Sequence, residues 1–172
     1  MVDKIKELEK IIKYSFKNNS LLVTSLTHKS FDSFNNNEKL EFLGDRVLGL
    51  IISHKLLEKF PNEKEGIIDK KFANLVNKKT CLLIAKKINL RKFLYLGASH
   101  KNLERSVDKI ISDSLEAIVG GIYLDGGLKN AQKLPISLGG PMGPIHPVWG
   151  HVLVSFPCWS KRLLFSLVPQ VL

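Results

Sequence analysis

Cysteine is scarce in this 172-residue sequence: Cys81 and Cys158 stand far apart and outside any CxxC spacing, which argues against a disulfide framework and a zinc site. That usage fits a reducing, cytoplasmic setting. Long hydrophobic runs are missing, and no window reaches the roughly 20 apolar residues of a membrane span. Met1 to Lys13 mixes charges of both signs at helical spacing and lacks the apolar stretch of a secretory signal. Strand-like alternation is absent as well. Up to Lys133 there is a single proline, Pro61, and no tryptophan. From Leu134 onward these scarcities reverse: all 16 acidic residues lie upstream, whereas both tryptophans and all the prolines except Pro61 lie downstream. The shift divides the chain into a first domain, residues 1–133, and an atypical tail, residues 134–172, expected to be disordered or read from a shifted frame. Prolines at that density interrupt helices and central strands.

What is present is positive charge and helical periodicity. The net charge of +10 favours an anionic partner such as nucleic acid and equally fits Lys-rich solvated helices. The apolar spacing predicts an all-α domain. Asp3 is expected to cap a first helix carrying Ile5, Leu8, Ile11 and Ile12, and Ser20 a second through Leu21, Leu22 and Leu26. The run Asn35-Asn36-Asn37 precedes a long helix from Glu38 to about Lys59, ended by Pro61. Two more helices are expected between Ile67 and Ile88. A loop around Gly97 to Arg105 then leads to a last helix from about Val107 to Leu124, stopped by Asp125-Gly126-Gly127.

Two of these helices carry acids in a pattern. At about 100° per residue, Glu38, Glu41 and Asp45 fall on one face of the first, opposite Leu40, Leu43, Val47, Leu50 and Ile51. Gly49 lies on the same acidic face, where a solvated helix loses about 1 kcal/mol to glycine. In the second, Asp113 and Glu116 share a face with Gly120, opposite Ile111, Leu115, Ile118, Val119 and Ile122. Either these are solvated acidic faces, or the helices cross near Gly49 and Gly120 and bring Glu41, Asp45, Asp113 and Glu116 to one point. In the second case a counter-charge is required, because clustered carboxylates repel. An all-oxygen donor set suits Mg²⁺ or Mn²⁺, and such an ion can deliver an activated water to a phosphodiester.

These residues carry a specific resemblance. Glu38 to Leu48, EKLEFLGDRVL, resembles the signature motif of the bacterial ribonuclease III family, and Asp113 to Gly127, DSLEAIVGGIYLDGG, resembles its second acidic motif. Leu26 to Ser30, LTHKS, and Phe72 to Asn77, FANLVN, are similar to two further family segments, so that the likeness covers about residues 5 to 133. The resemblance implies an all-helical, dimeric endonuclease domain with one metal-dependent site per subunit, acting on double-stranded RNA in the processing of ribosomal and messenger RNA. A metal-activated water would attack phosphorus in line and leave 5′-phosphate and 3′-hydroxyl ends. Glu41, Asp45, Asp113 and Glu116 match the family's metal-ligand positions, with Asp45 and Glu116 the catalytic pair, and Glu38 and Glu65 match two further acidic positions.

Other residues keep two readings. Phe42, beside the acidic arc, is either covered by a neighbouring helix of its own chain or inserted into a partner subunit, as the family's dimer implies. His28 can be a base or a hydrogen-bonding structural residue, and Ser30 a local cap. The lysines around 69–71, 78–79 and 86–87 form a solvated face or contact phosphates. The tail lacks the Lys and Arg of the RNA-binding domain that usually follows in the family, and His146, His151 and Cys158 share no convergent ligand spacing. Two alternatives remain: a smaller relative that trims ribosomal precursor RNA, and a non-catalytic, ribosome-associated member, which would be marked by loss of the metal-binding acids.

Overall fold

The computed structural model describes residues 2–98 and 104–134. The tail from residue 135 onward, and with it His146, His151 and Cys158, lies outside them, as do residues 99–103 of the expected loop. Among the described residues there are seven α-helices and no strand. They are α1 (Val2–Ile12), α2 (Asn19–Leu26), α3 (Glu38–Lys59), α4 (Glu65–Leu75), α5 (Lys78–Lys87), α6 (Glu104–Gly126) and α7 (Leu128–Gln132), with a 3-10 turn at Leu90–Phe93. One isolated parallel bridge joins Thr27 to Tyr95. The all-helical expectation holds, and none of the described helices is long and apolar enough to cross a membrane.

α6 is the centre of the bundle. From Ile110 to Ile122 every residue is buried, so this middle stretch of the helix is covered on all sides. α2, α3, α5 and α7 all pack on it, with α3 making the most extensive contact. α3 supplies one stripe to that contact, with Leu40, Gly44, Val47, Leu48, Ile51, Ile52 and Leu56 buried at alternating three- and four-residue steps. The core continues through Leu8 and Ile12 of α1, Leu22 and Leu26 of α2, and Leu75, Ala85 and Leu90. Leu134, one residue beyond the composition boundary, is also packed into it.

The two long helices meet backbone to backbone. A Cβ placed on Gly44 would lie 2.9 Å from the Gly120 nitrogen and against the Glu116 carbonyl, and one placed on Gly120 would lie 3.0 Å from the Gly44 nitrogen and against the Leu40 carbonyl oxygen. The expected crossing at Gly49 and Gly120 is therefore half right. Gly49 faces only the Phe72 ring of α4, at an ordinary 3.5 Å. Gly44, which lies between Glu41 and Asp45, is the residue that lets α6 approach.

Polar contacts set the register of this pair. Asn37 is buried; its backbone nitrogen donates to the Thr27 carbonyl at 2.9 Å and its Nδ2 to Ser114 Oγ at 3.1 Å, so the start of α3 is pinned against the middle of α6. Ser25 Oγ, also buried, lies 3.1 Å from the Ala117 carbonyl and ties α2 to the same region. Two caps differ from expectation. α1 begins at Val2, which puts Asp3 in its first turn, and α2 is capped by Asn18, whose side chain accepts from the Ser20 nitrogen at 3.0 Å. After α6, Gly127 takes φ 77°, a left-handed value that glycine adopts without strain.

Candidate metal centre

The Asn37 and Gly44 contacts bring the first turn of α3 onto one face of α6. Glu41, Asp113 and Glu116 each present a carboxylate oxygen there, and the three oxygens lie within 4.8 Å of one another. Asp113 and Glu116 are only 6% and 5% exposed, so theirs is not the solvated face that the sequence left open. Three carboxylates so close need a positive charge. The chain supplies Lys78, the first residue of α5, whose Nζ donates to Glu41 Oε1 at 3.2 Å, to Glu116 Oε2 at 3.4 Å and to Asp113 Oδ1. Lys109, one turn before Asp113 on α6, donates to the other Asp113 oxygen at 2.6 Å.

The electrostatics follow from this packing. Burial pushes the Glu116 carboxyl above its ordinary range; Lys78 pulls it back, and the charges of Asp113 and Asp45 add to the rise. Burial alone would lower the Lys78 ammonium, but its hydrogen bond to Asp113 and the charges of Glu116 and Asp113 outweigh it and hold the group above its usual value. The buried Cys81 thiol, one turn along α5 and hydrogen-bonded to Glu116, is pushed up to about 12 by desolvation and then by the Glu116 charge.

The other sequence-derived candidates stand outside this group of three. Asp45 is exposed, 3.6 Å from Arg46 Nη1, although its charge is felt at Glu116. Glu38 pairs with Lys29 Nζ at 2.8 Å, and that hydrogen bond holds its carboxyl below the usual range. Glu65 is exposed in the first turn of α4. Phe42 is 61% exposed, and among the described residues no helix covers it; the Arg46 guanidinium stacks on its ring at 3.5 Å. His28 Nδ1 accepts from the Ser30 nitrogen at 3.1 Å and lies 2.8 Å from Ser30 Oγ, which in turn accepts from the Gly97 nitrogen at 3.0 Å. These contacts brace the α2–α3 connection.

Sequence reasoning missed Lys78 and Lys109 as members of the site. The i,i+4 spacing of Lys109 and Asp113 was available as a signal. Nothing local marks Lys78, which stands 35 residues from Asp113 and 37 from Glu41 along the chain.

An all-helical bundle that gathers the half-buried Glu41 of one helix with the buried Asp113 and Glu116 of the helix it crosses has an acidic cluster that could hold a metal ion. The Ribonuclease-III-like family model matches residues 18–137, and the chain belongs to that family. It is 59% identical over 166 residues to a Ribonuclease 3 of Pelagibacter ubique (strain HTCC1062), a match that takes in 96% of this chain and therefore runs past Lys133. A Ribonuclease 3 of Sulfurovum sp. (strain NBC37-1) is 44% identical over 133 residues. This chain spans 65% and 60% of the lengths of those two relatives. Among solved structures, the nuclease domain of ribonuclease III from Campylobacter jejuni, at 42% identity, superposes with a TM-score of 0.69 over 74% of this chain and 87% of that one. A second structure of that domain, described for flexibility in a region involved in dimer formation, gives a TM-score of 0.70 over 74% and 90%.

Proposed function

We propose that this chain is the nuclease unit of a ribonuclease III: an endoribonuclease that hydrolyses double-stranded RNA with Mg²⁺, replaceable by Mn²⁺, and leaves 5′-phosphate and 3′-hydroxyl ends. The observation that carries the proposal is the convergence of Glu41, Asp113 and Glu116 on one cation-sized point between α3 and α6. Their hard oxygen donors, with no His among them, fit Mg²⁺ or Mn²⁺. In this reading Asp45, one turn beyond Glu41 on α3, completes the ligand set, and Glu38 and Glu65 are further acidic residues of the family pattern. A divalent ion held there supplies Lewis acidity and a bound water of lowered pKa. The chain's own part is to hold rigid oxygens in place: Asn37 and the glycine contact fix Glu41 relative to Glu116, and Lys109 orients Asp113 through its second oxygen.

Residues 1–133 form this nuclease unit in the proposal, and Leu134 packs into the same core. Two copies associate, so that each strand of the duplex meets one site, and the exposed Phe42 is the anchor entering the partner subunit. The setting is the cytoplasm and the work is ribosomal and messenger RNA processing. Incubating the purified chain with a long RNA duplex tests the activity. Mg²⁺ is expected to give shorter duplexes bearing 5′-phosphates, and EDTA to stop the reaction; undiminished cleavage in EDTA would overturn the role of the ion.

A further inference from the structure

Lys78 occupies the geometric centre of the carboxylate group. Its ammonium is within 3.4 Å of an oxygen from each of Glu41, Asp113 and Glu116, which is where any cation bridging the three must sit. An ammonium and a divalent ion cannot share that point. The exchange raises the positive charge facing the carboxylates by one, since Lys78 with Lys109 supplies two charges and a divalent ion with Lys109 supplies three. The anchoring of Lys78 allows the exchange. Its backbone is fixed, because its carbonyl accepts from Ser112 Oγ at 3.3 Å and Asn77 caps α5 through the Thr80 nitrogen at 2.9 Å. Its side chain is 53% exposed, so the four-carbon stem can swing outward without crossing the core.

We propose that Lys78 is a built-in competitor for the metal: its ammonium holds the carboxylates together in the metal-free protein and must leave as the divalent ion enters, so that it sets the affinity of the site. The proposal rests on the metal-binding reading given above. It explains how three carboxylates, two of them buried, remain assembled before a metal arrives: removing the one partner they share would leave buried charges uncompensated.

The test compares the parent chain with Lys78→Met, which keeps the length of the side chain and removes its charge. Mn²⁺ alone is the probe, followed by loss of its free-ion paramagnetic resonance signal and by calorimetry, with no RNA present. The variant is expected to bind Mn²⁺ about tenfold more tightly, since no ammonium has to be displaced. It should also melt at a lower temperature than the parent without metal and gain more from added Mn²⁺. Equal affinities, within about twofold, would overturn the competition while leaving the metal site standing. No Mn²⁺ binding by either protein would overturn the metal reading itself. A second measurement does not depend on the variant folding: acetylation of Lys78 in the parent, mapped by mass spectrometry. Added Mg²⁺ should raise its reactivity severalfold relative to Lys129; unchanged reactivity on a protein that has bound the ion would contradict the displacement.

Discussion

Gly44 and Gly120 face each other where α3 crosses α6, so closely that a Cβ on either would press into the backbone of the opposite helix. Gly120→Ala is therefore expected to destabilise the fold by about 3 kcal/mol, because the obstructing atoms are main-chain and cannot rotate away. Gly49→Ala, on the same helix as Gly44 but in ordinary contact with the Phe72 ring, should be neutral or stabilising by up to about 1 kcal/mol. Urea denaturation of the two variants checks the contrast, and similar losses in both would place the crossing elsewhere.

The link between α1 and the end of α6 should respond to pH at both extremes. Asp125 accepts from Tyr14 OH at 2.6 Å and from the backbone nitrogens of Lys17 and Asn18, both at 2.9 Å. Burial would raise its pKa, but these hydrogen bonds lower it overall, so its stabilisation is present above its ordinary value of 3.8 and fades as pH falls through the depressed one. Tyr14 shifts the opposite way, from 10.0 to about 12, through burial first and then its bond to Asp125. Its contribution is full below pH 10 and is lost as pH rises towards 12. Tyr14→Phe should therefore be less stable than the parent near neutrality, and the difference should close over that alkaline range. A difference independent of pH would show that the phenol's proton plays no part.

Phe42 offers a large apolar surface and little to its own core. Phe42→Ala should leave chemical stability of the isolated chain within about 0.5 kcal/mol, yet shift sedimentation towards the monomer. An unchanged dimer together with a large stability loss would assign the ring to its own subunit.

Local signals made much of this legible. The long α3 was bounded correctly because Asn35 to Asn37 and Pro61 are strong local stops, and the apolar faces of α3 and α6 follow from periodicity alone. Glu41, Asp113 and Glu116 were likewise marked by their spacing. The choice between Gly44 and Gly49 was not legible, since periodicity gives a face but not the depth at which another helix crosses it. Asn18 displaced Ser20 as a cap because its side chain reaches the α2 backbone from two positions further out. The 3-10 turn at Leu90–Phe93 and α7 are too short to carry a period. Lys78 reaches the site only through tertiary packing.

The most direct test of the whole account is Glu116→Gln, which keeps the size of the buried side chain and removes its charge. Helix content, melting temperature and dimer content should match the parent, because the change also relieves repulsion from Asp113 and Asp45. Mg²⁺-dependent cleavage of a long RNA duplex should fall by about a thousandfold or more, as expected when a site loses an essential charged group. Cleavage within tenfold of the parent would contradict the assignment of this carboxylate cluster as the catalytic metal site.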